Sequence, residues 1–326
     1  MKRYYSGIQA TGNLHIGNYL GAIKPWVEYQ QEGETIYFVP DLHSLNVRPN
    51  PERLRRETLA NVAWLIAAGI DTDKSILFVQ SDVTAHAELC WILNNYVTMG
   101  ELSRQTQYKD KSSRNGDAGQ IVALFTYPIL MASDILLYSS DFVPTGEDQK
   151  QHVELARDVA DRFNNLYGKT FVVPRPLVRE VGARIMSLQD PNRKMSKSEE
   201  SSGSILLLDS EDQISTKVKQ AMTDSGAEVQ SSDDKPALTN LLQIYSAITK
   251  VDVIEIEKKY AGKGYGDFKK DLAQILIGEL MPLQKRFREL MSNEEKLKSI
   301  IADGARKASA IANPKLAEVK EKIGLL

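Results

Sequence analysis

The stretch SGIQATGNLHIGNYLGA, Ser6–Ala22, sets the architecture of the first half of the chain. It overlaps a segment, Lys2–Ile8, whose pattern predicts a strand, and it leads into a helical pattern, Asn18–Gln31. A strand, a polar loop and a helix N-terminus in this order can bind an anion or a nucleotide, because the first backbone N–H groups of the helix point at the loop. We therefore expect an α/β domain with such a site at its first turn.

The start of this helical segment contains residues that are unusual if its only role is to pack against the rest of the protein. Gly17 and Gly21 each cost about 1 kcal/mol relative to alanine, which is acceptable where a flat group such as an adenine ring approaches the backbone. His15 and Asn18 are three residues apart and can both donate to phosphate or ribose oxygens. Close helix packing would explain the same residues, and the glycine spacing fits neither a dinucleotide fingerprint nor a P-loop.

Strands and helices alternate over the first 200 residues. We predict helices at Pro51–Ala68, between Asn50 as N-cap and Gly69 as C-terminal stop, and at Asp148–Leu166. Pro25 should kink the first helix. This alternation predicts an α/β fold with a Rossmann-like parallel sheet and helices on both faces. The further strands are predicted at Thr35–Pro40, Ser75–Gln80, Asp141–Val143 and Thr170–Val173.

Two regions depart from the alternation. Residues of about 84–138 are helical and are predicted to form an insertion in the catalytic domain, 1–200. From residue 201 to 326 we find only helical periodicity, opened by a capping box at Ser210–Gln213, and this predicts an all-α C-terminal domain. Asp224–Pro236 is expected to be a loop, and Gly262–Gly266 a turn.

The composition sets limits on the class of protein. The chain has 326 residues, a formal net charge of -2 and one cysteine, Cys90. A disulfide framework is therefore excluded, and a reducing, cytoplasmic setting is expected. We find no apolar segment of the length that a secretion signal or a membrane span needs.

The loop RKMSKSEESSG, 193–203, is polar, is expected to be flexible, and carries the basic residues Arg193, Lys194 and Lys197. Lys194 and Lys197 are mobile point charges that suit phosphate oxygens, and Ser196 adds a hydroxyl donor. A flexible loop of this kind can reach a phosphate only when the ligand is bound. The alternative is an ordinary solvated loop.

HIGN at 15–18 and KMSKS at 194–198 together resemble the two signatures of the class I aminoacyl-tRNA synthetases. The family's first signature ends in histidine, where this chain has Asn18. The resemblance implies amino-acid activation, in which a carboxylate attacks the α-phosphate of ATP and expels pyrophosphate. Such a reaction depends on positioning and on electrostatic stabilisation of the phosphates.

The segment TYPILMASDILLY, 126–138, bears on the amino acid. Tyr127, Met131 and Asp134 lie at i, i+4 and i+7, on one face of a predicted helix. A buried aspartate needs a donor, and an indole N–H or a phenol O–H would serve. These residues leave tryptophan and tyrosine open, and Asp134 could instead pair with an arginine or cap a turn.

Nearly the whole chain is similar to bacterial tryptophanyl-tRNA synthetases, with GEDQKQH at 146–152, GARIMSL at 182–188 and GKGYGDFK at 262–269. The resemblance implies an ATP-dependent, AMP-forming ligase. It would make tryptophanyl-adenylate and transfer tryptophan to the 3′-terminal ribose of its tRNA. The alternatives are a tyrosyl-tRNA synthetase and a non-catalytic paralogue that binds tryptophan or tRNA.

The resemblance also implies roles for individual residues. Asp134 would accept the indole N–H, and Gln149 would hold the amino group. Catalysis would use Gln9, Lys194, Ser196 and Lys197. The side-chain pocket would be lined by Tyr5, His43, Tyr127, Met131 and Val143. ATP would be bound by Gln9, Ala10, Thr11, His15, Gly17, Asn18, Gly146, Glu147, Asp148, Ile185, Lys194, Met195, Ser196, Lys197 and Ser198.

Cofactors and partners follow from the same resemblance. Mg²⁺ would be carried on the ATP phosphates, with no protein ligand assigned. The partners would be tRNA(Trp), read at its anticodon by the helical domain, and a second copy of the chain, bound through the helical insertion. The segment from 201 onward has 19 basic and 19 acidic residues, so its charge does not itself predict a nucleic-acid partner. His43 and His152 could each be an ordinary core histidine.

Overall fold

A computed structural model describes residues 2–9, 13–106, 121–178, 184–196 and 202–325. Its five strands are all parallel and form one sheet in the order β3-β2-β1-β4-β5. Strand β1 is therefore at the centre of the sheet, with β2 on one side of it and β4 on the other. The Rossmann-like sheet is confirmed. The strands are β1 Arg3–Gly7, β2 Glu34–Val39, β3 Ser75–Val79, β4 Phe142–Pro144 and β5 Arg175–Leu177.

The first helical segment begins two residues earlier than predicted. Helix α1, Ile16–Asn18, runs through one π-helical turn, Tyr19–Ile23, into α2, Lys24–Tyr29. Pro25 lies in the first turn of α2, directly after the wider turn. Proline has no N–H to donate and crowds the preceding turn, so the change of helix type falls where the sequence predicted a kink.

The helix predicted at Pro51–Ala68 has the predicted ends. After the short α3, Asp41–Ser44, helix α4 spans Pro51–Ala68. The side chain of Asn50 accepts a 3.0 Å hydrogen bond from the backbone N–H of Arg53. Gly69 ends the helix in the left-handed region, with φ of 116°, where glycine pays no steric cost.

The predicted helical insertion is present in its described part. Helices α5, Ala85–Leu93, and α6, Met99–Ser103, precede the long helix α7, Val122–Leu136. Strand β4 follows, and then a 3₁₀ turn leads into α8, Lys150–Tyr167. Helix α7 packs against both α5 and α8, and this places Asp134 beside residues that follow β3.

The strand predicted at Thr170–Val173 is wrong, because β5 begins only at Arg175. The Asn164 side-chain oxygen accepts from the backbone N–H groups of Thr170 and Phe171, at 2.8 and 2.9 Å. These donors are then no longer available for a sheet ladder. Phe171 is buried against the ring of Phe163 instead.

The described residues after 202 form helices and no strand, as predicted. The capping box at Ser210–Gln213 is confirmed in both directions, at 3.2 and 2.8 Å. Residues 221–235 form the predicted loop, and the turn near Gly262 has φ of 76° at that glycine. The helices are α9 Glu211–Gln220, α10 Pro236–Thr249, α11 Val253–Lys259, α12 Tyr265–Met291 and α13 Glu294–Lys322.

These C-terminal helices pack directly on the sheet domain. The Trp64 ring of α4 stacks on Phe287 of α12, with ring centroids 4.1 Å apart. Helix α13 lies along the edge strand β3 so closely that a Cβ on Gly304 would overlap the carbonyl oxygen of Leu77. The division of the chain at residue 200 stays a prediction, because the hydrophobic core is continuous across it. Within the described ranges, no helix has the length and apolarity to cross a membrane.

Candidate active site

The candidate site lies at the carboxyl ends of β1 and β4. The chain segments that follow these two neighbouring strands run in opposite directions, which leaves a crevice between them. Open α/β sheets bind ligands in such a crevice. The hydroxyl of Ser6 donates 2.8 Å to the carbonyl oxygen of Pro144 and joins the two strand ends. Gln9 follows β1 and is exposed at this edge.

The two signature segments are brought together by backbone hydrogen bonds. The N–H of Ile16 donates to the Ile205 carbonyl at 2.9 Å, and the N–H of Leu207 donates to the Leu14 carbonyl at 2.8 Å. The Ser204 hydroxyl donates to the Ser196 carbonyl at 3.1 Å. Residues 204–207, which follow the second signature, therefore hold the two signature segments next to each other.

A second short ladder holds the start of the basic loop. Met195 donates from its N–H to the Ile185 carbonyl at 3.0 Å, and Ser187 donates to the Arg193 carbonyl at 2.8 Å. Met195 and Ile185 are buried, whereas Lys194 between the bonded positions is exposed. The buried side chains of Ile185 and Met195 thus hold this segment in place while Lys194 is exposed to solvent. Lys197 and Ser198 lie outside the described residues.

Gly17 lies between two of the predicted ATP-binding residues. A Cβ at this position would be 2.9 Å from the His15 ring and 3.5 Å from the Cβ of Ile185. The side-chain oxygen of Asn18 accepts from the His15 backbone N–H at 3.2 Å. Asn18 therefore caps its own turn, which a histidine at the same position would do less readily.

The predicted ribose-binding residues follow β4. Glu147–Gln149 form the 3₁₀ turn that begins α8, with Gly146 as its N-cap. Gly146 and Gln149 are half-buried and Glu147 is exposed, while Asp148 is described in its backbone only. This turn neighbours the end of β1, so it can contact a ligand that also contacts Gln9. The predicted residues Ala10 and Thr11 lie outside the described ranges.

Asp134 is fully buried and accepts three hydrogen bonds from side chains. Oδ1 accepts from Gln80 Nε2 at 2.7 Å and from His86 Nδ1 at 2.6 Å. Oδ2 accepts from His43 Nε2 at 2.8 Å. Neither an arginine nor a turn cap satisfies this carboxylate.

Asp134 is a carboxylate rather than a neutral acid. Burial raises its pKa, but hydrogen bonds from His43 and His86 outweigh burial and lower the pKa to about 2. An ionised carboxylate only accepts hydrogen bonds, so both histidine nitrogens that face it carry hydrogens. His86 Nε2 then accepts from the Tyr138 hydroxyl, 2.9 Å away.

Aromatic rings enclose this carboxylate. Tyr5 stacks on Phe38 and on Tyr138, with centroids 4.9 and 5.0 Å apart. Tyr127 meets the His43 ring edge-on at 6.2 Å. Val143 is buried in the same hydrophobic cluster as Tyr5, and Met131 packs against that cluster.

Two tyrosines in this region differ in their hydrogen bonding. The buried Tyr5 hydroxyl has no hydrogen-bond partner among the described residues, and burial followed by the charge of Asp134 raises its pKa. Tyr127 has its hydroxyl 2.9 Å from Nε2 of the buried His152, whose Nδ1 lies 3.1 Å from Gln105 Oε1. His152 is therefore a core histidine that holds Tyr127.

Sequence reasoning missed Gln80, His86 and Tyr138. A signal did exist for Gln80, which is the first polar side chain after the buried strand β3 and lies at the same sheet edge as the site. Tyr138 follows Asp134 by four residues, a spacing that keeps side chains close at a helix end. Nothing in the sequence pattern distinguishes His86 from any histidine on a helix.

The arrangement has two chemically different parts. One is a group of aromatic rings around an acceptor-only carboxylate, which suits a flat ligand with one N–H or O–H donor. The other is formed by the two signature segments, with Lys194 exposed, and its polar groups suit a nucleotide. No group of His, Cys, Asp and Glu within the described ranges could hold a metal ion.

Known proteins match the chain over its length. A model of the tRNA synthetases class I (W and Y) matches residues 1–303. The tryptophan–tRNA ligase of Clostridium tetani is 49% identical over 326 residues, 100% of this chain and 96% of the relative. Tryptophanyl-tRNA synthetase from Mycoplasma pneumoniae has a TM-score of 0.92 at 35% identity, covering 99% of this chain and 98% of that one. The Campylobacter jejuni enzyme, complexed with ADP and tryptophan, has a TM-score of 0.84 at 36% identity, covering 99% of both chains.

Proposed function

The chain belongs to the class I tRNA synthetases for tryptophan and tyrosine, and we propose that within this family it is a tryptophan–tRNA ligase. It activates L-tryptophan with ATP to tryptophanyl-adenylate and pyrophosphate. It then transfers tryptophan to the 3′-terminal ribose of tRNA(Trp). The full-length likeness to tryptophan–tRNA ligases supports this choice over the tyrosine enzyme.

The buried, ionised Asp134 is the observation that carries the choice of substrate. A carboxylate in an aromatic pocket matches the indole, which has a flat apolar body and one N–H donor with no acceptor. The pocket residues Tyr5, His43, Tyr127 and Val143 would contact the ring, and Gln149 would hold the amino group.

The polar cleft would bind ATP. Adenine would lie against Gly17 and Ile185, the ribose against the turn at Gly146–Asp148, and the phosphates against the second signature. Negative charge grows on the α-phosphate and on pyrophosphate as the tryptophan carboxylate attacks. Lys194 and Lys197 would stabilise that charge, and contacts made mainly in the transition state raise the rate.

We propose that Mg²⁺ arrives bound to ATP. The side chains assigned to the phosphates, those of Lys194, Ser196 and Lys197, are cationic or neutral. They suit phosphate oxygens, whereas a magnesium ion prefers oxygen ligands such as carboxylates, waters and the phosphates themselves. The proposal also places the protein in the cytoplasm, where its tRNA substrate is.

A homodimer through the helical insertion is part of the proposal. Trp91 of α5 and Val122 of α7 are 75% and 78% exposed, and Met99 of α6 is also largely exposed. Large apolar side chains that face solvent on neighbouring helices are typical of a protein interface. Light scattering should give the mass of a dimer, and Trp91→Glu should yield a monomer. A monomeric parent protein would contradict this part.

Substitutions in the basic loop test the proposed reaction. Lys194→Ala and Lys197→Ala should each lower the rate of adenylate formation at least a hundredfold, because a charge that stabilises the transition state is lost. Tryptophan affinity should change less than threefold. Lys74→Ala is the matched control, because this exposed lysine precedes β3 at the opposite edge of the sheet. Equal losses of rate and affinity in the loop variants would contradict the assigned roles.

A further inference from the structure

The two oxygens of Asp134 have different surroundings. Oδ1 accepts from Gln80 and His86, whose side chains are fully buried. Oδ2 accepts from His43, which is only half-buried and is the one of these three donors that reaches solvent. Each carboxylate oxygen has two lone pairs. Among the described residues, Oδ1 therefore has two donors from the protein interior, while Oδ2 has one and can accept another on the side of His43.

The surroundings of His86 restrain its ring beside Asp134. The ring packs next to both Phe38 and Phe78, with centroids 6.2 and 5.8 Å away. Its backbone carbonyl accepts a 2.9 Å hydrogen bond from the Ser133 hydroxyl, on the residue next to Asp134. Neighbouring aromatic rings, hydrogen bonds at both ring nitrogens and the backbone contact thus restrain the position of the His86 ring.

Tyr138 occupies the other nitrogen of His86. Because Nδ1 donates to the Asp134 carboxylate, Nε2 of the neutral ring accepts from the Tyr138 hydroxyl, 2.9 Å away. The Nδ1 hydrogen points at Oδ1 of Asp134. Tyr138, His86 and Asp134 form one buried chain of hydrogen bonds directed toward the pocket.

We infer that His86 is a positioning residue for tryptophan recognition, which acts by holding Asp134 with Oδ2 turned to the indole N–H. This inference rests on the proposed function and deepens it. Without the Nδ1 donor, Oδ1 keeps only Gln80, and the carboxylate can rotate or take up a proton. The pocket would still accept a flat ring, but it would lose its preference for a ring that carries an N–H donor.

The test compares tryptophan with 3-(benzothiophen-3-yl)alanine, in which sulfur replaces the indole N–H. The readout is the ratio of kcat/KM for the two substrates in ATP–pyrophosphate exchange. A site built to pair with a donor discriminates strongly against an analogue that lacks it. Wild type should therefore favour tryptophan by a large factor, and loss of positioning should reduce this ratio.

Two variants of His86 separate positioning from packing. The amide nitrogen of asparagine falls near the place of Nδ1, so His86→Asn keeps a donor to Asp134, and its ratio should stay within about threefold of wild type. The longer glutamine reaches toward Tyr138 instead, so His86→Gln should lower the ratio at least about tenfold. The same ratio in folded His86→Gln as in wild type, with kcat/KM lowered equally for both substrates, would overturn the inference.

Tyr138→Phe provides a second measurement that does not depend on folding of the His86 variants. It removes the hydroxyl that holds Nε2 of His86, which leaves the ring less firmly oriented toward Asp134, so the ratio should fall about threefold or more. An unchanged ratio in Tyr138→Phe would also overturn the inference. A wild-type protein that exchanges with tryptophan but accepts the analogue equally well would contradict the inference alone. A wild type with no exchange would contradict the proposed function as well.

Discussion

The hydroxyl of Tyr19 donates a 2.6 Å hydrogen bond to Oε1 of Glu279, across 260 positions of sequence. The same oxygen accepts from Lys24 Nζ at 2.8 Å. Tyr19 directly follows the first signature, and Glu279 is in the middle of α12. The helix that carries the first signature is thus tied to the C-terminal helices by a charged contact beneath the site.

Tyr19→Phe should lower the free energy of unfolding by about 1–2 kcal/mol, because the buried hydroxyl donates to a carboxylate. Urea denaturation of the full chain measures this. Tyr167→Phe is the control, since its hydroxyl makes a solvent-exposed hydrogen bond with a neutral partner, Tyr96, and it should cost under about 0.5 kcal/mol. Equal effects of the two changes would show that the Glu279 contact adds no stability.

Stability at low pH should depend on Asp134. Its pKa in the folded chain is about 2, below the 3.8 of an unperturbed aspartate, so the unfolded state takes up the proton first as pH falls. The resulting stabilisation, about 2 kcal/mol, is complete above about pH 5, and most of it is lost between about pH 4 and pH 2.

Asp134→Asn removes this titration. Urea unfolding at a series of pH values should give a shallower fall in stability for the variant over this window. The two proteins should run parallel above about pH 5. A wild type and variant with equal slopes between pH 4 and pH 2 would contradict the assigned pKa.

Two glycines test the packing of the last helix. Gly304→Ala should destabilise the protein by about 2–4 kcal/mol, because its Cβ would overlap the Leu77 carbonyl of β3. Gly278→Ala in α12 is the matched control, since its Cβ would meet no atom within 4 Å. It should stabilise by about 0.5–1 kcal/mol through helix propensity. Stabilisation by both changes would mean that α13 does not lie on β3 in solution.

Cys90 should be inert in the folded protein. Burial is the largest cause that raises the pKa of its thiol, to about 12, and the thiolate is the reactive form. Intact-mass measurement after incubation with iodoacetamide at about pH 8 should show no adduct, and one adduct in denaturant. Rapid modification of the native chain would contradict this burial.

The sequence predicts the parts of the fold that depend on neighbouring residues. Asn50, Gly69 and Ser210 act within one helical turn, so the ends of α4 and the start of α9 could be located from sequence. The strand predicted at Thr170–Val173 is absent because of contacts that neighbouring residues alone do not determine. The Thr170 N–H is taken by Asn164, and its carbonyl and hydroxyl accept from Lys315 and Lys322 of the distant helix α13.

The same distinction applies to the site. Pocket residues on one helix face, such as Tyr127 and Asp134, were found by spacing and by resemblance. His86 reaches Asp134, 48 positions away, because α5 packs against α7, and Gln80 reaches it across 54 positions from the turn after β3. Such partners come from tertiary packing, which periodicity does not contain.

The most direct measurement is ATP–pyrophosphate exchange with purified protein and Mg²⁺, testing each of the twenty amino acids singly. The pocket around Asp134 and the cleft beside Lys194 predict exchange with tryptophan and none with the others above background. Exchange that depends on tyrosine would keep the chemistry and contradict the pocket assignment. No exchange with any amino acid would contradict the proposed reaction.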